Sequence, residues 1–221
     1  MSGAERDVPR DAAEVGVPTS GSSDLALKRA FDLAMSGIAL LAAWPLLVII
    51  AAVVRVESKG PALFRQERVG LNGKIFRIHK FRSMRTDMAG GLISPTHDPR
   101  ITRTGAVLRR TKLDELPQLL DVLSGHMSLV GPRPEVPKYV ALWPEHERRF
   151  ILSVRPGITD PASIELRNES DELAAAANAE NHYVSSLLPR KVAMYVTYVR
   201  TRSLVGDLKI LAQTIYRVVR E

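Results

Sequence analysis

The chain has 221 residues, a length that suits one domain of ordinary size or one domain with a short appendage. Its formal net charge of +7 predicts anionic partners, such as nucleic acid, anionic lipid headgroups or phosphorylated substrates. It contains no cysteine, which excludes disulfides, zinc-thiolate sites and thiol nucleophiles, and its 5% of aromatic residues is poor material for stacking single-stranded nucleic acid.

The N-terminal residues 1–24 are rich in Ser, Gly, Pro, Ala and acids and show no apolar period, which predicts a disordered tail. They lack the basic start and apolar run of a signal peptide. No second domain or internal repeat is visible in the remainder. The sequence therefore predicts a tail over 1–24 and one domain over 25–221.

A long apolar segment opens this domain, because residues 33–54 contain no charge. As a helix they cover about 33 Å, enough for a bilayer core of ~30 Å, and Pro45 inside them predicts a kink or break. Lys and Arg flank the segment on both sides, whereas a spanning helix has its excess on one side. The prediction is a re-entrant membrane helix over about 28–56 that breaks at Pro45. A kinked spanning helix and a buried core helix are the alternatives.

A β-hairpin is predicted next, since residues 63–68 and 74–80 alternate with period two around Asn72-Gly73, a strong hairpin signal. Helical spacing returns at Leu108 and ends at Gly125. The prolines of 128–137 predict a rigid extended loop. Further helices are predicted over 144–153, 170–181, 183–199 and 204–219. The predicted fold class is α+β and mainly helical, with a proline-broken re-entrant membrane helix, a β-hairpin and packed amphipathic helices.

Two adjacent carboxylates, Asp114 and Glu115, stand just before Pro117. Neighbouring helix positions point about 100° apart, so the two acids diverge instead of sharing a proton. One can act as a nucleophile while the other holds Mg²⁺ or orients a partner. The alternative is structural: acids at a helix start complement the macrodipole, and Thr111 with Asp114 resembles a capping box.

Basic residues surround this pair in sequence, and guanidinium groups match the geometry of phosphates. Arg133 is held on a stiff loop by Pro132 and Pro134, which favours a binding role. The others, taken singly, are typical of solvated surface charges: Lys80, Arg82, Arg85, Arg100, Arg103, Arg109, Arg110 and Lys112. The five histidines lack metal-ligand spacing, and no Walker or dinucleotide fingerprint occurs.

Seven segments in one order resemble the bacterial sugar transferase family, the monotopic polyprenyl-phosphate phosphoglycosyl transferases. The resemblance runs from Lys28 to about Val219, and its most specific segments are LDELPQL at 113–119 and MSLVGPRP at 127–134. The others are KRAFD at 28–32 with the apolar segment, Gly60-Pro61 with the strand that follows, KFRSM at 80–84, DPRIT at 98–102 and RPGIT at 155–159.

The resemblance implies a two-step transfer from a UDP-sugar to a polyprenyl phosphate such as undecaprenyl phosphate. Asp114 matches the nucleophile that attacks the sugar-linked phosphate, so that UMP leaves and a phosphosugar-aspartate intermediate remains. The polyprenyl phosphate then attacks that intermediate. Glu115 matches the residue associated with Mg²⁺. The substrate-binding residues implied are Lys80, Arg82, Arg110, Pro132, Arg133 and Pro134.

The resemblance also implies where the protein works: monotopic, in contact with lipid on the cytoplasmic face of the bacterial plasma membrane, where it initiates a surface glycan. Nucleic acid is not an expected partner, and a homodimer is left open. Two departures are visible. Trp44 precedes Pro45 where the family often has Ser, and Asp160-Pro161 follows the RPGIT segment where it often has Gly, which concerns contacts and donor choice near that loop.

Two competing functions remain at this point. A non-catalytic basic membrane adaptor would use the charge and the apolar segment to bind anionic lipid or nucleic acid, but would leave Asp114, Glu115 and the Pro-Arg-Pro loop unexplained. High salt should release such an adaptor, since electrostatic adhesion is screened. A transferase that moves the sugar without its phosphate would release UDP instead of UMP.

Overall fold

The computed structural model describes residues 22–88 and 90–220. The predicted tail lies outside the described residues as far as position 21, and residues 22–24 already belong to the first helix. The α+β, mainly helical class predicted from the sequence is confirmed. The helices are α1 Ser22–Glu57, α2 Arg103–Arg110, α3 Leu119–Leu123, α4 Pro137–Val140, α5 Glu145–Ile151, α6 Pro161–Glu165, α7 Glu169–Ala175, α8 Ala179–His182, α9 Leu188–Thr201 and α10 Leu204–Arg220. The strands are β1 Leu63–Val69, β2 Ile75–Phe81, β3 Ser128–Val130 and β4 Gly157–Thr159.

The predicted hairpin is confirmed: β1 and β2 pair antiparallel, with Leu63 opposite Phe81 and Val69 opposite Ile75. Its turn is a short 3₁₀ segment, Leu71–Gly73. Asn72 at φ 54° and Gly73 at φ 77° both adopt positive φ, which these two residue types tolerate better than most. Asn72 and Gly73 therefore form the turn because both tolerate positive φ, which is why this pair predicted a hairpin.

The long helix α1 lies along the domain, with one buried stripe and one exposed apolar face. Asp32 and Ser36 are buried toward its start, and Ile50 and Val54 toward its end. The large exposed apolar residues are Leu25, Leu27, Leu33, Met35, Ile38, Leu41, Trp44, Leu46, Val48, Ile49, Val53 and Val56. The helical backbone continues through Pro45, so of the predicted kink or break the break is absent. Whether this helix re-enters a membrane stays a prediction.

Both ends of α1 are bonded to the same folded body. Near the start, Arg29 Nη2 donates to the Val122 carbonyl at the end of α3 (2.8 Å), and Lys28 Nζ lies 2.6 Å from an Asp207 carboxylate oxygen on α10. At the other end, the Glu57 carboxylate accepts from the Thr104 amide of α2 at 3.1 Å. These contacts hold both ends of the helix against the domain.

The sequence missed a second, parallel strand pair: β3 lies inside the segment predicted as an extended loop, and β4 was not predicted. Two glycines make this approach feasible. A Cβ at Gly131 would lie 2.5 Å from the Arg155 carbonyl oxygen, and a Cβ at Gly157 would lie 2.5 Å from the Gly131 carbonyl oxygen. Such distances are too short for any side chain, so the Gly-Pro-Arg-Pro and Arg-Pro-Gly segments pack backbone against backbone.

Several predicted helices are subdivided in the structure. The helix expected from Leu108 to Gly125 is α2, a 3₁₀ helix over Leu113–Gln118, and α3. Its end is confirmed at Gly125, which has φ 87°. The segment 170–181 contains α7 and α8, and a π-helix at Tyr183–Leu187 leads into α9. The helices predicted at 144–153 and 204–219 are confirmed as α5 and α10.

Candidate active site

Asp114 sits at a local interruption between two helices. The preceding Lys112 has φ 57°, a left-handed conformation that costs energy for a residue with a Cβ. This turn starts the 3₁₀ helix and directs Asp114 inward, where the residue is only 7% exposed. Its Oδ1 is buried and finds no hydrogen-bond partner among the described residues. A buried carboxylate oxygen without a hydrogen-bond donor costs folding free energy. The described part of the chain supplies no such donor, so we expect the partner of this oxygen to be a ligand.

Glu115 has the opposite environment, because two cations bind its carboxylate. Lys80 Nζ from β2 donates to Oε1 at 2.8 Å. Arg133 donates from Nη1 to Oε2 at 3.1 Å and from Nη2 to Oε1, which makes the pair bidentate. The divergence of the two acids, predicted from their adjacent positions, is therefore present: Glu115 points into the cationic pair and Asp114 Oδ1 does not.

The two carboxyl groups consequently differ in acidity. Burial raises the pKa of Asp114, and the neighbouring negative charge of Glu115 raises it further. Burial would also raise the pKa of Glu115, but the positive charges of Arg133 and Lys80 hold that pKa well below its usual range. The Glu115 carboxylate in turn raises the pKa of Arg133. Two adjacent acids whose environments separate their pKa values are a common sign of divided chemical roles.

The loop that carries Arg133 is fixed through its prolines, as their rigidity predicted. The Pro132 carbonyl accepts from the Gly157 amide at 3.0 Å, and the Pro134 carbonyl accepts from Arg68 Nη1 at 3.1 Å. Arg68 also pairs with Glu135 at 3.2 Å. Pro132 and Pro134 are thus buried supports whose carbonyl oxygens are already used, and the parallel strand pair sets the position of Arg133.

Asp160 lies close enough to Arg133 for their charges to interact. It is fully buried, caps the start of α6 by accepting from the Ser163 amide at 3.0 Å, and also accepts from the Ser163 hydroxyl. Burial raises its pKa, while Ser163 and the charge of Arg133 oppose that shift. The departure from the usual Gly at this position therefore adds a second acid near the Arg133 guanidinium.

Two other residues implied by the resemblance are not brought to this cluster. Arg82 is buried and donates to the carbonyls of Val54 at 3.2 Å and Ser58 at 2.6 Å, beside the end of α1. Arg110 is exposed at the end of α2. The charge of its neighbour Arg109, in contrast, acts on Asp114, because it is among the positive charges that oppose the rise in the pKa of Asp114. The helical phase of α2, with Leu108 buried, could have indicated Arg109 instead.

The predicted capping box at Thr111 is wrong. Its hydroxyl donates to the Val107 carbonyl at 2.9 Å, so it closes the end of α2 instead of starting the next helix. The left-handed Lys112 separates Thr111 from Asp114 and prevents the helical spacing that a capping box requires. The structural explanation for Asp114 as part of a capping box is thereby removed.

A divalent cation could be held here only in part by the protein. Within 22–88 and 90–220 no group of three or more His, Cys, Asp or Glu side chains is placed to hold a metal. Mg²⁺, however, is commonly bound by one or two carboxylates together with substrate phosphates and water. Asp114 Oδ1 has no donor and Glu115 Oε2 has one, so both retain acceptor capacity. The carboxylate oxygens of these two residues therefore fit such an ion.

Among the described residues, one helix is long and apolar enough to cross a membrane by length and composition. It is the segment Ser23–Glu57 of α1, with a mean hydropathy of 2.6 in its most apolar window. Only 11% of that window is buried inside the protein, so α1 differs from the core helix of a soluble protein, which is mostly buried. The exposed apolar side of α1 is therefore suited to contact with lipid.

Comparison with known proteins finds a match to the bacterial sugar transferase family model over residues 23–221. The chain is 42% identical over 203 residues to the exopolysaccharide production protein PSS of Rhizobium leguminosarum bv. phaseoli, covering 87% of this chain and 94% of that protein. It is 42% identical to the undecaprenyl-phosphate glucose phosphotransferase of Komagataeibacter xylinus, covering 89% of this chain and 36% of the relative. It is 37% identical to the UDP-glucose:undecaprenyl-phosphate glucose-1-phosphate transferase of Escherichia coli K12, covering 90% of this chain and 41% of the relative. The chain thus spans most of the first relative and well under half of the other two.

Proposed function

This chain belongs to the bacterial sugar transferase family, and from that membership we propose that it moves a phosphosugar from a UDP-sugar to undecaprenyl phosphate, releases UMP and so initiates a surface glycan. The names of the Komagataeibacter and Escherichia relatives support the acceptor, and that of the Escherichia relative supports a UDP-linked donor. The name of the Rhizobium relative supports a role in exopolysaccharide production. One observation carries the proposal: a buried Asp114 oxygen without a donor lies next to a Glu115 that is tied to two cations.

In the proposed first step, a carboxylate oxygen of Asp114 attacks the phosphorus that carries the sugar. A bond forms between Asp114 and that phosphorus, and the bond from this phosphorus to the oxygen bridging the two phosphates breaks. The electron pair leaves with UMP, and a phosphosugar-aspartate intermediate remains. Arg133 and Lys80, which are bonded to the neighbouring Glu115, can stabilise negative charge that develops on the phosphates.

In the second step, a phosphate oxygen of undecaprenyl phosphate attacks the same phosphorus. The bond to Asp114 breaks, its carboxylate is regenerated, and a polyprenyl-diphosphate sugar is formed. Dividing the transfer into two displacements lets a soluble donor and a lipid acceptor use one site in turn. Once ionised, Asp114 needs no general base for this role, because a carboxylate has no proton to remove before it attacks.

Mg²⁺ is the proposed cofactor, and Glu115 is the residue that would hold it together with the substrate phosphates. Once bound, the ion would neutralise charge on the diphosphate of the donor. The chain's own part is to keep Glu115 ionised and oriented, which Lys80 and Arg133 accomplish from two different elements. Arg133, held between two prolines, is also the proposed contact for donor phosphate.

We place the enzyme on the cytoplasmic face of the plasma membrane, with α1 entering and leaving on that side. The contacts of α1 support this placement: Lys28 pairs with Asp207 near its start, and Glu57 accepts from Thr104 at its end. A helix that crossed the bilayer would carry one of these ends away from the domain. Its exposed apolar face, with Trp44 beside Pro45, would lie in the lipid.

The test is nucleotide release from a panel of UDP-sugars, with detergent-purified protein, Mg²⁺ and undecaprenyl phosphate. UMP from one donor, dependent on the lipid and abolished in Asp114→Asn, is the expected result. Release of UDP would overturn the proposal in favour of transfer of the sugar alone. Absence of any nucleotide from every donor, with folded protein and membrane binding that high salt reverses, would favour the adaptor.

A further inference from the structure

A cavity of about 730 Å³ lies outside the Asp114 site, between the last turns of α1 and the hairpin strand β1. Its walls are largely apolar, with Ala51 from α1 and Leu63 and Phe64 from β1. Three arginines also line it, Arg55, Arg65 and Arg82, and none of the described residues in its walls is acidic. An apolar chamber with positive charge at its edge suits an amphiphile that has an anionic headgroup.

The charge of Arg82 is the most informative part of this cavity. Arg82 is only 2% exposed, and its Nη2 donates to two backbone carbonyls and the Ser58 hydroxyl. Its Nε and Nη1 are buried and have no partner in the described part of the chain, which also offers it no carboxylate within ion-pair distance. A buried cation without a counter-charge is costly, and an anionic ligand would supply that charge.

The loop between α1 and β1 leaves room for the Arg82 guanidinium because it has a glycine at position 60. Gly60 has φ 118°, and a Cβ there would lie 2.5 Å from Arg82 Nη1. Any side chain at this position would therefore displace the group. Arg55 and Arg65 are exposed, so their guanidinium forks can reach toward a phosphate while Arg82 provides a fixed positive floor.

The cavity meets the lipid-facing helix, and it shares an apolar cluster with the residue that precedes the proposed nucleophile. Leu113, next to Asp114 in sequence, packs against the same cluster of apolar residues as Ala51 and Leu63. Phe64 is paired in register with Lys80, which binds Glu115. On its other side the cavity meets α1, whose exposed apolar face could carry a hydrocarbon tail toward the bilayer.

We infer that this cavity binds the undecaprenyl phosphate acceptor, with its phosphate among Arg55, Arg65 and Arg82 and its first isoprene units against Ala51, Leu63 and Phe64. This inference rests on the proposed function and assigns its lipid substrate a place. The acceptor enters from the membrane along α1, and its phosphate is held in this cavity until the donor has reacted with Asp114. An ordinary anionic phospholipid would not need this cavity, because it could be bound anywhere along the exposed face of α1.

A direct test uses a photoreactive polyprenyl phosphate with the full-length protein in phosphatidylcholine nanodiscs. The expected result is labelling of peptides that contain 51–65, suppressed by excess undecaprenyl phosphate and not by the same excess of phosphatidylglycerol. Equal suppression by phosphatidylglycerol would overturn the inference in favour of a general phospholipid site. Labelling confined to other peptides would also overturn it.

A kinetic test compares Arg55→Gln/Arg65→Gln with a control, Arg77→Gln/Arg149→Gln. Arg77 and Arg149 are exposed by 69% and 76% and do not line the cavity. The first variant should raise the KM for undecaprenyl phosphate about tenfold or more, because phosphate contacts are lost. Its single-turnover burst of UMP without acceptor should stay unchanged, and the control should leave both quantities unchanged. An unchanged KM in the first variant would contradict the inference.

The two tests separate failure of the site from failure of the proposed function. Labelling needs no turnover, so competed labelling of 51–65 in a protein inactive with every UDP-sugar would retain the lipid site and reject the function. A lipid-dependent release of UMP with labelling elsewhere would retain the function and reject the site.

Discussion

The guanidinium of Arg133 donates to both carboxylate oxygens of Glu115, although a turn, a helix and a strand separate the two residues in sequence. Lys80 reaches the same carboxylate from β2. The Glu115 carboxylate therefore joins the hairpin, the 3₁₀ helix and the Pro-Arg-Pro loop through one group. This arrangement makes Glu115 a stabilising residue as well as a candidate ligand, and it makes the effect of losing its charge measurable.

Glu115→Gln should lower the free energy of unfolding by about 3 kcal/mol at pH 7, because Lys80 and Arg133 then lose their counter-charge. The folded-state pKa of Glu115 is depressed, so its stabilisation is complete above the unfolded value of 4.5 and is lost as pH falls through the folded value. The difference between variant and wild type should therefore shrink below pH 4.5. Chemical denaturation in detergent measures it. Glu67→Gln, at an exposed ion pair, is the control and should change stability by less than about 1 kcal/mol.

Asp114→Asn should have the opposite effect on stability while removing activity. Its folded-state pKa is raised by burial, so its contribution to stability is complete below the unfolded value of 3.8 and is lost as pH rises through the folded value. The neutral variant should thus melt at a higher temperature than wild type at pH 7, and the two should converge near pH 3.8. UMP release should fall by a factor of about 10⁴ or more. A lower melting temperature at pH 7 would contradict this reading of the buried carboxylate.

The wild-type burst of UMP should also depend on pH in a defined direction. Asp114 attacks only when ionised, and its pKa is raised above 3.8, so the burst rate should fall as pH falls through that raised value. Rapid-quench measurement at saturating donor gives the rate. A burst rate that does not change down to pH 3.8, where more than half of Asp114 would be protonated, would contradict Asp114 as the nucleophile.

Arg109 and Arg110 form a natural matched pair on the last turn of α2. Arg109 lies 3.6 Å from the Met84 sulfur through Nη1, and its charge acts on Asp114, whereas Arg110 is exposed. Arg109→Gln should lower UMP release about tenfold, the scale of one charge-assisted contact, and Arg110→Gln should stay within about twofold. The reverse order of effects would restore the role that the family resemblance implies for Arg110.

Gly157→Ala should disrupt the site from a distance. The added methyl group would lie 2.5 Å from the Gly131 carbonyl oxygen, so β3 and β4 would separate and Arg133 would shift. We expect a loss of about 3 kcal/mol in unfolding free energy, with most of the UMP release. Gly73→Ala is the control, because that glycine has φ 77° but open space around it, and it should cost about 1 kcal/mol and spare activity. Equal losses in both variants would show that backbone strain, and not the close approach, is responsible.

Elements with a local signal were the predictable part of this fold. The hairpin followed from Asn72-Gly73 and its flanking alternation, and the divergence of Asp114 and Glu115 followed from their adjacency. The parallel β3–β4 pair was missed because each strand has only three residues and its partner lies far away in sequence. The two ion pairs of Glu115 were likewise unpredictable, because they depend on tertiary structure. Nothing in the sequence around Lys80 or Arg133 indicates that both bind the same carboxylate.

The interruption at Lys112 was unpredictable for a different reason. Lysine ordinarily avoids positive φ, so no residue type marks this turn, and the apolar spacing from Leu108 continues across it. The continuity of α1 through Pro45 was also missed in part. A proline costs a helix one backbone hydrogen bond, but the buried stripe on either side, with Ser36 and Ile50, holds both halves to one domain.

The attachment of both ends of α1 has a practical consequence for anyone handling this protein. Asp32 hydrogen-bonds Ser128 at the edge of β3, and Val54 is buried beside Phe81 and Leu108. Removing this helix to obtain a water-soluble fragment would cut away part of the interior and leave Arg82 without the Val54 carbonyl that it binds. Helix α1 is therefore part of the folded domain and not a separate membrane anchor. Solubility is better sought by detergent, nanodiscs or substitution of its exposed apolar side chains than by truncation.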